Sequence, residues 1–259
     1  MKELKIISYN VNGIRAALKK DLEGWLKKEN PDIICFQETK AHSDQVDPEI
    51  FNALGYEHQH WFSAEKKGYS GVATFSKVKP KKVVQGMKME AYDREGRMLQ
   101  TDFEDFTLLN CYFPSGSAGE ERHAFKVDFL NDLLPWIKKK KRANKNIILV
   151  GDYNVVHQDI DIHNPKRKDN PSGFRPEERA WMDEWFKKDF VDAYRKVHGN
   201  IEDIFTWWSY RAGARKNNKG WRIDYISVSK ALSERIKDAN IHSDAHHSDH
   251  CPISVKVGI

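Results

Sequence analysis

The chain has 259 residues, 39% of them apolar and 12% aromatic, which suits a globular protein with a substantial core and excludes a disordered one. No run reaches the roughly 18–20 apolar residues that a membrane helix requires, and Met1, Lys2 and Glu3 lead into strand-like residues with no secretory leader, so a cytoplasmic protein with no membrane partner is expected. The formal charge of +5 is compatible with a polyanionic partner without requiring one, and the densest basic run, residues 138–142, reads as the solvated end of a helix.

Residues 4–9 predict a first strand and residues 11–15 a turn around Gly13. Leu18, Leu22, Trp25 and Leu26 then recur at helical spacing until Asn30 and Pro31 stop the helix. With a second apolar strand at 33–36 the opening reads strand, helix, strand, the order of a parallel pair with a right-handed crossover. Residues 71–76, 81–85, 97–102 and 106–113 follow as strands with only loops between them, which predicts an antiparallel stretch. Phe125, Phe129, Leu133 and Ile137 mark a second helix, kinked at Pro135. Residues 147–150 are a continuous apolar run, as in a strand buried on both faces, and Gly151 is expected to end it. A basic loop at 165–176 precedes a third helix opened by Pro176, with Trp181 and Trp185 on one face. After a long loop, strands at 222–228 and 253–257 complete the set.

No linker or composition break appears, so residues 1–259 are expected to form a single α/β domain of two sheets packed face to face with helices outside. Cys35, Cys111 and Cys251 are widely spaced, in no CxxC pair, and read as small core residues rather than disulfide partners or zinc thiolates.

The informative residues sit at strand ends: Asn10, Glu38, Tyr112, Asp152, Asn154, Asp224, Asp249 and His250. Side-by-side strands would gather them at one rim. Such a set offers hard oxygen ligands and no thiolate, which suits Mg²⁺ or Mn²⁺ better than zinc. It also holds one histidine among carboxylates able to orient it. With no GxxxxGK cradle and no GxSxG elbow in the chain, metal-assisted phosphoester hydrolysis is the chemistry left standing.

Six segments then carry a resemblance: SYNVNGIR (8–15), CFQETK (35–40), KGYSGVA (67–73), GDYNVVH (151–157), GWRIDYISVS (220–229) and SDHCPI (248–253). In this order, over nearly the whole chain, they resemble the motif series of the exonuclease III family of apurinic/apyrimidinic endonucleases. The resemblance implies a four-layered α/β sandwich of two mixed sheets. It implies an enzyme that cuts duplex DNA on the 5′ side of an abasic site with one or two Mg²⁺ ions, or Mn²⁺, and that trims or unblocks 3′ ends as side activities. By the same resemblance Glu38 is the principal metal ligand, with Asn10, Asp152, Asn154 and Asp249 near the metal. Asp152 orients the attacking water, helped by Asn10 and Asn154; His250, held by Asp224, faces the scissile phosphate; Tyr112 lies near that phosphate. Whether Asp152 or His250 takes the proton stays open. Trp207, Trp221 and Ile223 would wall a slot for the baseless sugar, and Arg15, Lys20, Tyr69, Arg97 and Arg211 would touch DNA. Ser115 and Asn12 depart from the family's commoner Asn or Gln and Asp, which bears on metal stoichiometry and side activities. Lipid and inositol phosphoesterases share the Glu, Asp, Asn and His set, but the indole slot and the KGYSG loop argue against them. A noncatalytic DNA-binding scaffold is the other alternative, opposed by the intact Glu38, Asp152, Asn154 and His250.

Overall fold

The computed structural model describes residues 2–259. Sheet one contains β1 (Glu3–Asn10), β2 (Ile33–Gln37), β3 (His58–Phe62), β4 (Val72–Ser76), β11 (Ile236–Ile241) and β12 (Ile253–Gly258), in the order β11-β12-β1-β2-β4-β3. Sheet two contains β5 (Lys82–Gln85), β6 (Met98–Asp102), β7 (Thr107–Tyr112), β8 (Ile147–Asp152), β9 (Phe190–Asp192) and β10 (Asp224–Ser229), in the order β5-β6-β7-β8-β10-β9. Each sheet is mixed in the same way. One parallel pair lies at its centre, β1 with β2 and β7 with β8, and antiparallel strands flank it on both sides.

Strand alternation fills three layers of core. Ile6, Cys35, Leu108, Ile148, Val150 and Val255 pack between the sheets. On the outer face of sheet one, Ile7, Tyr9, Ile34 and Phe36 meet the helices α1 (Ile14–Leu18), α2 (Leu22–Glu29) and α3 (Glu49–Asn52). Behind sheet two, Leu109, Ile147 and Leu149 meet α5 (Glu120–Ala143) and α6 (Pro176–Lys188), after the short α4 (Glu90–Asp93). Helix, sheet, sheet, helix is the four-layered sandwich expected; α7 (Ala193–His198) links β9 to the closing strands. All three cysteines are buried and unpaired, Cys251 in a loop rather than a strand.

Several expectations change. The first helix is two: Asp21, left-handed at φ 65°, breaks it and caps α2 by accepting from the Gly24 N–H, and α1 already begins inside the expected turn. Helix α5 is one 24-residue helix that carries Pro135 inside it, where a kink is expected. Strand β4 leaves the predicted antiparallel series for the other sheet, while β5, β6 and β7 keep it. Strand β8 does not end at Gly151 but continues through Asp152, and Gly151 is there because a Cβ would lie 1.7 Å from the Cys111 carbonyl oxygen of β7.

A buried charge cluster ties the segments around Asp161 and Arg222 to this frame. Arg222 donates from Nε to Asp161 (2.7 Å) and from Nη1 to Asp192 (2.8 Å), and Arg195 also donates to Asp161 (2.8 Å). Burial pushes the Asp161 carboxyl up, but the two guanidiniums hold it below its ordinary 3.8. Its stabilisation is therefore complete above that value and lost as pH falls through the depressed folded-state pKa. Asp161→Asn should cost about 3 kcal/mol at pH 7, a difference that shrinks in strong acid. Urea unfolding of both proteins at the two pH values measures it.

Candidate active site

Strand register builds the site. In sheet one Asn10 ends β1 beside Gln37 of β2, and Glu38 follows; in sheet two Tyr112 and Asp152 end β7 and β8 side by side. Asp224 opens the antiparallel β10 directly opposite Asp152. Because the parallel strands of both sheets point the same polar ends at one rim, acids 28 to 142 positions apart from Asn10 come within reach of its amide: Asn10 Nδ2 donates to Glu38 Oε1 (3.1 Å) and to Asp152 Oδ2 (2.9 Å). Asn12, Glu38, Lys40 and Asn154 all adopt left-handed backbone conformations where the strands break off. Four non-glycine residues so placed in one site indicate local strain held by the surrounding frame.

Two positions apart, Asp152 and Asn154 would face one way by alternation in an extended strand. A turn does it instead: with φ 53° at Asn154, its backbone N–H donates to Asp152 Oδ1 (2.8 Å) and its Nδ2 to Asp152 Oδ2 (3.3 Å) and the Phe113 carbonyl (3.0 Å). Asn10 Oδ1 is taken by the Asn12 N–H (3.0 Å). Both amides thus present donors to the carboxylates. Asp249 stands on the same rim, and its oxygens accept from Asn12 Nδ2 (2.9 Å), Trp207 Nε1 (3.1 Å) and Ser248 Oγ (3.1 Å). Tyr112 donates its hydroxyl to Glu38 Oε1 (2.7 Å), so it orients that acid.

His250 lies between two acids, Nδ1 at 2.9 Å from Asp224 Oδ2 and Nε2 at 3.8 Å from Asp152 Oδ2. Burial alone would lower its pKa, but the charges of Asp224 and Asp152 outweigh it and raise it to about 10, so the ring is an imidazolium at neutral pH. Burial, then the negative charge of Asp224, lifts Asp152 to about 7. Glu38 differs: burial raises it, but the Lys40 ammonium 2.9 Å away, with Tyr112 and Asn10, holds it below the usual carboxylate range.

Ligand atoms of Glu38, Asp152 and His250 lie within 4.8 Å of one another. With His250 protonated and bonded to Asp224, the donors left are carboxylate oxygens, a fit for a hard divalent cation and not for zinc.

These groups line one cavity of about 470 Å³, whose other wall is Trp207, Trp221 and Ile223. The indoles meet edge to face, centroids 5.8 Å apart, and Trp207 lies 6.5 Å from the His250 ring. Thr206 Oγ1 accepts the backbone N–H groups of both Ile223 (3.0 Å) and Asp224 (3.1 Å), which fixes the slot wall relative to the acid behind His250. Ser115 lines the same cavity, its hydroxyl 2.9 Å from that of Ser117.

A family model described as the endonuclease/exonuclease/phosphatase family matches residues 7–250. The chain belongs to that family. An exodeoxyribonuclease of Bacillus subtilis is 44% identical over 99% of this chain and the whole of the relative. A DNA-(apurinic or apyrimidinic site) endonuclease of Dictyostelium discoideum is 37% identical over 99% of this chain and 71% of its own length. The solved structure of an AP endonuclease from Archaeoglobus fulgidus superposes with a TM-score of 0.89 at 32% identity, over 99% of this chain and all of that one. The family's metal-dependent nucleases accord with the acidic cluster found here.

The expected DNA contacts divide. Arg15, Lys20 and Arg211 are exposed; Arg15 shares a shallow cavity with Lys19 and Lys40, and Lys20 Nζ reaches the His247 carbonyl (3.2 Å). Tyr69 is half-buried, its hydroxyl 3.2 Å from both Arg97 Nη2 and Arg122 Nη2. Arg97 must be corrected. It is 1% exposed, stacks 4.8 Å from the Tyr112 ring and spends its donors on Glu95, the Tyr112 carbonyl and Tyr69, so it offers no free guanidinium to a phosphate. Sequence reasoning missed Lys126, Ser172 and Arg175 on the cavity wall, because nothing in their local pattern distinguishes them from ordinary helix and loop residues.

Proposed function

We propose that this protein is a DNA repair hydrolase that cuts the phosphodiester 5′ to an abasic site in duplex DNA, with 3′–5′ exonuclease and 3′-phosphodiesterase side activities. The observation that carries the reading is that the acid and imidazolium cluster and the indole slot share one cavity. A baseless nucleotide has no stacked base to extract, so it rotates out cheaply into a slot walled by Trp207, Trp221 and Ile223, while its 5′ phosphate meets the charged rim. The relatives named for exodeoxyribonuclease and abasic-site endonuclease activity support it.

In this reading Asp152 is the proton acceptor. The donors from Asn10 and Asn154 orient its carboxylate as a general base, whereas Asp224, bonded to Nδ1, keeps the proton on His250. His250 instead presents positive charge to the nonbridging phosphate oxygens, where negative charge gathers in the transition state. Asn10 and Asn154 hold Asp152 in the direction of attack. Glu38 and Asp152 are the acids that would hold Mg²⁺, or Mn²⁺ in its place, and a bound cation would neutralise phosphate charge and stabilise the leaving oxygen. Arg15, Lys20 and Arg211 supply phosphate contacts along the duplex. The protein acts as a single-domain cytoplasmic monomer; no helix among the described residues is long and apolar enough to cross a membrane.

The test is gel mapping of products from a duplex with one abasic analogue, with Mg²⁺ or with chelator. One metal-dependent cut immediately 5′ to the lesion is expected. Rapid turnover of a phosphoinositide with no cut at the lesion would instead assign the chain to its lipid-hydrolysing relatives.

A further inference from the structure

We infer that Lys126 and Glu178, a buried ion pair that touches no reacting atom, are positioning residues that hold the catalytic loop and the indole slot in one register. The inference rests on the functional reading above.

Lys126 lies on α5 and Glu178 in the first turn of α6, both with no solvent exposure. Lys126 Nζ is 2.5 Å from Glu178 Oε1 and donates to the Asn154 carbonyl (2.6 Å). It therefore grips the turn that aims the Asn154 amide at Asp152. Glu178 acts on the opposite side. Its Oε2 accepts the N–H groups of Gly173 (2.7 Å) and Arg175 (2.9 Å), and its Oε1 accepts from Ser172 Oγ (3.3 Å).

That loop is the back support of the slot. A Cβ on Gly173 would fall 3.0 Å from Trp221 Cζ3 and 2.9 Å from the Asn154 carbonyl oxygen, and the Val156 N–H donates to the Gly173 carbonyl (2.7 Å). One ammonium and one carboxylate thus join three parts that meet nowhere in sequence: the Asp152 to Val156 turn, the loop behind Trp221, and the two helices under sheet two. An ion pair kept for stability alone would be replaceable by apolar groups with little loss. This one takes its remaining hydrogen bonds from the backbone of the active-site loops, so its removal should be felt at the reacting centre.

The test compares Lys126→Met with Lys126→Gln, which loses the charge but keeps an N–H for the Asn154 carbonyl. Lys126→Met should lower kcat by about 10²-fold, the scale of a small misplacement of reacting groups, with KM for the abasic duplex nearly unchanged; Lys126→Gln should recover a large part of kcat. Amide hydrogen exchange at residues 152–157 should quicken in the Met variant and stay near wild type in the Gln variant. If Lys126→Met fails to fold, Glu178→Gln, whose one amide oxygen can still accept from both Gly173 and Arg175 while its NH₂ replaces the oxygen facing Lys126, should still lower kcat about tenfold on the same grounds. Folded variants with wild-type kcat and exchange, or losses equal in Met and Gln variants, would overturn the inference. A wild-type protein inert on abasic duplexes would overturn the functional reading instead, and the exchange data alone would then decide the positional one.

Discussion

Replacing His250 with Asn should lower the rate of cleavage at an abasic site by about 10³-fold or more while duplex binding changes little, since a charge aimed at the transition state is worth that much. Asn can still bond Asp224 and occupies less volume, so the fold should survive. What disappears is the imidazolium. Its loss has a second effect, on Asp152 3.8 Å away, whose carboxylate the cation helps keep ionised against burial and the charge of Asp224. Without it Asp152 protonates more readily, so the acid limb of the rate profile should move to higher pH than in the wild type at the same metal concentration. The wild-type profile should also show no loss from His250 until pH approaches its raised value of about 10. Single-turnover rates from pH 5 to 10 measure both effects. An unchanged rate in the variant would remove His250 from the chemistry, and an unchanged acid limb would break its coupling to Asp152.

Gly151→Ala should be the most damaging single methyl in the chain. The added carbon would sit 1.7 Å from the Cys111 carbonyl oxygen, and that oxygen belongs to the parallel neighbour β7 at the centre of sheet two, where no flexible side chain can yield. The φ of 149° adds backbone strain for any L side chain. Relief requires β7 and β8 to separate just where they present Tyr112 and Asp152. A cost of at least about 3 kcal/mol is expected, a large part of what holds a domain together. Urea unfolding gives the stability, and kcat of the folded fraction should fall too. A wild-type midpoint would show that the two strands approach less closely than described.

Much of this was legible because β-branched runs and the polar residues that end them are local signals. Ile147 to Val150 announces a central strand, and Glu38 and Asp152 stand at strand ends that the parallel pairs bring to a common rim, where Asp224 begins the antiparallel β10 opposite Asp152. What stayed hidden depends on three dimensions. Strand β3 reads HQHWF, half-buried at the sheet edge with no alternation to betray it, and β9 has only three residues. Strand β11 hides in IKDANI for the same reason, since as an edge strand it leaves much of its surface to water. Arg97 looked like a surface cation because exposure has no signature in a single residue. The amides of Asn10 and Asn154 could be read as ligands or donors until their partners were known. Lys126 and Glu178 carry no pattern at all, and only the crossing of α5 and α6 beneath the active-site turn gives them a part.

The matched build of the two sheets has one further consequence. Neither sheet alone contains a complete nuclease: one contributes Asn10 and Glu38, the other Tyr112, Asp152 and Asp224. His250 arrives last, in the loop just before β12 slots between β11 and β1. The site is therefore complete only when both sheets and the loop before β12 are in place, so a chain that lacks its last strand pair lacks His250 and cannot assemble the cluster.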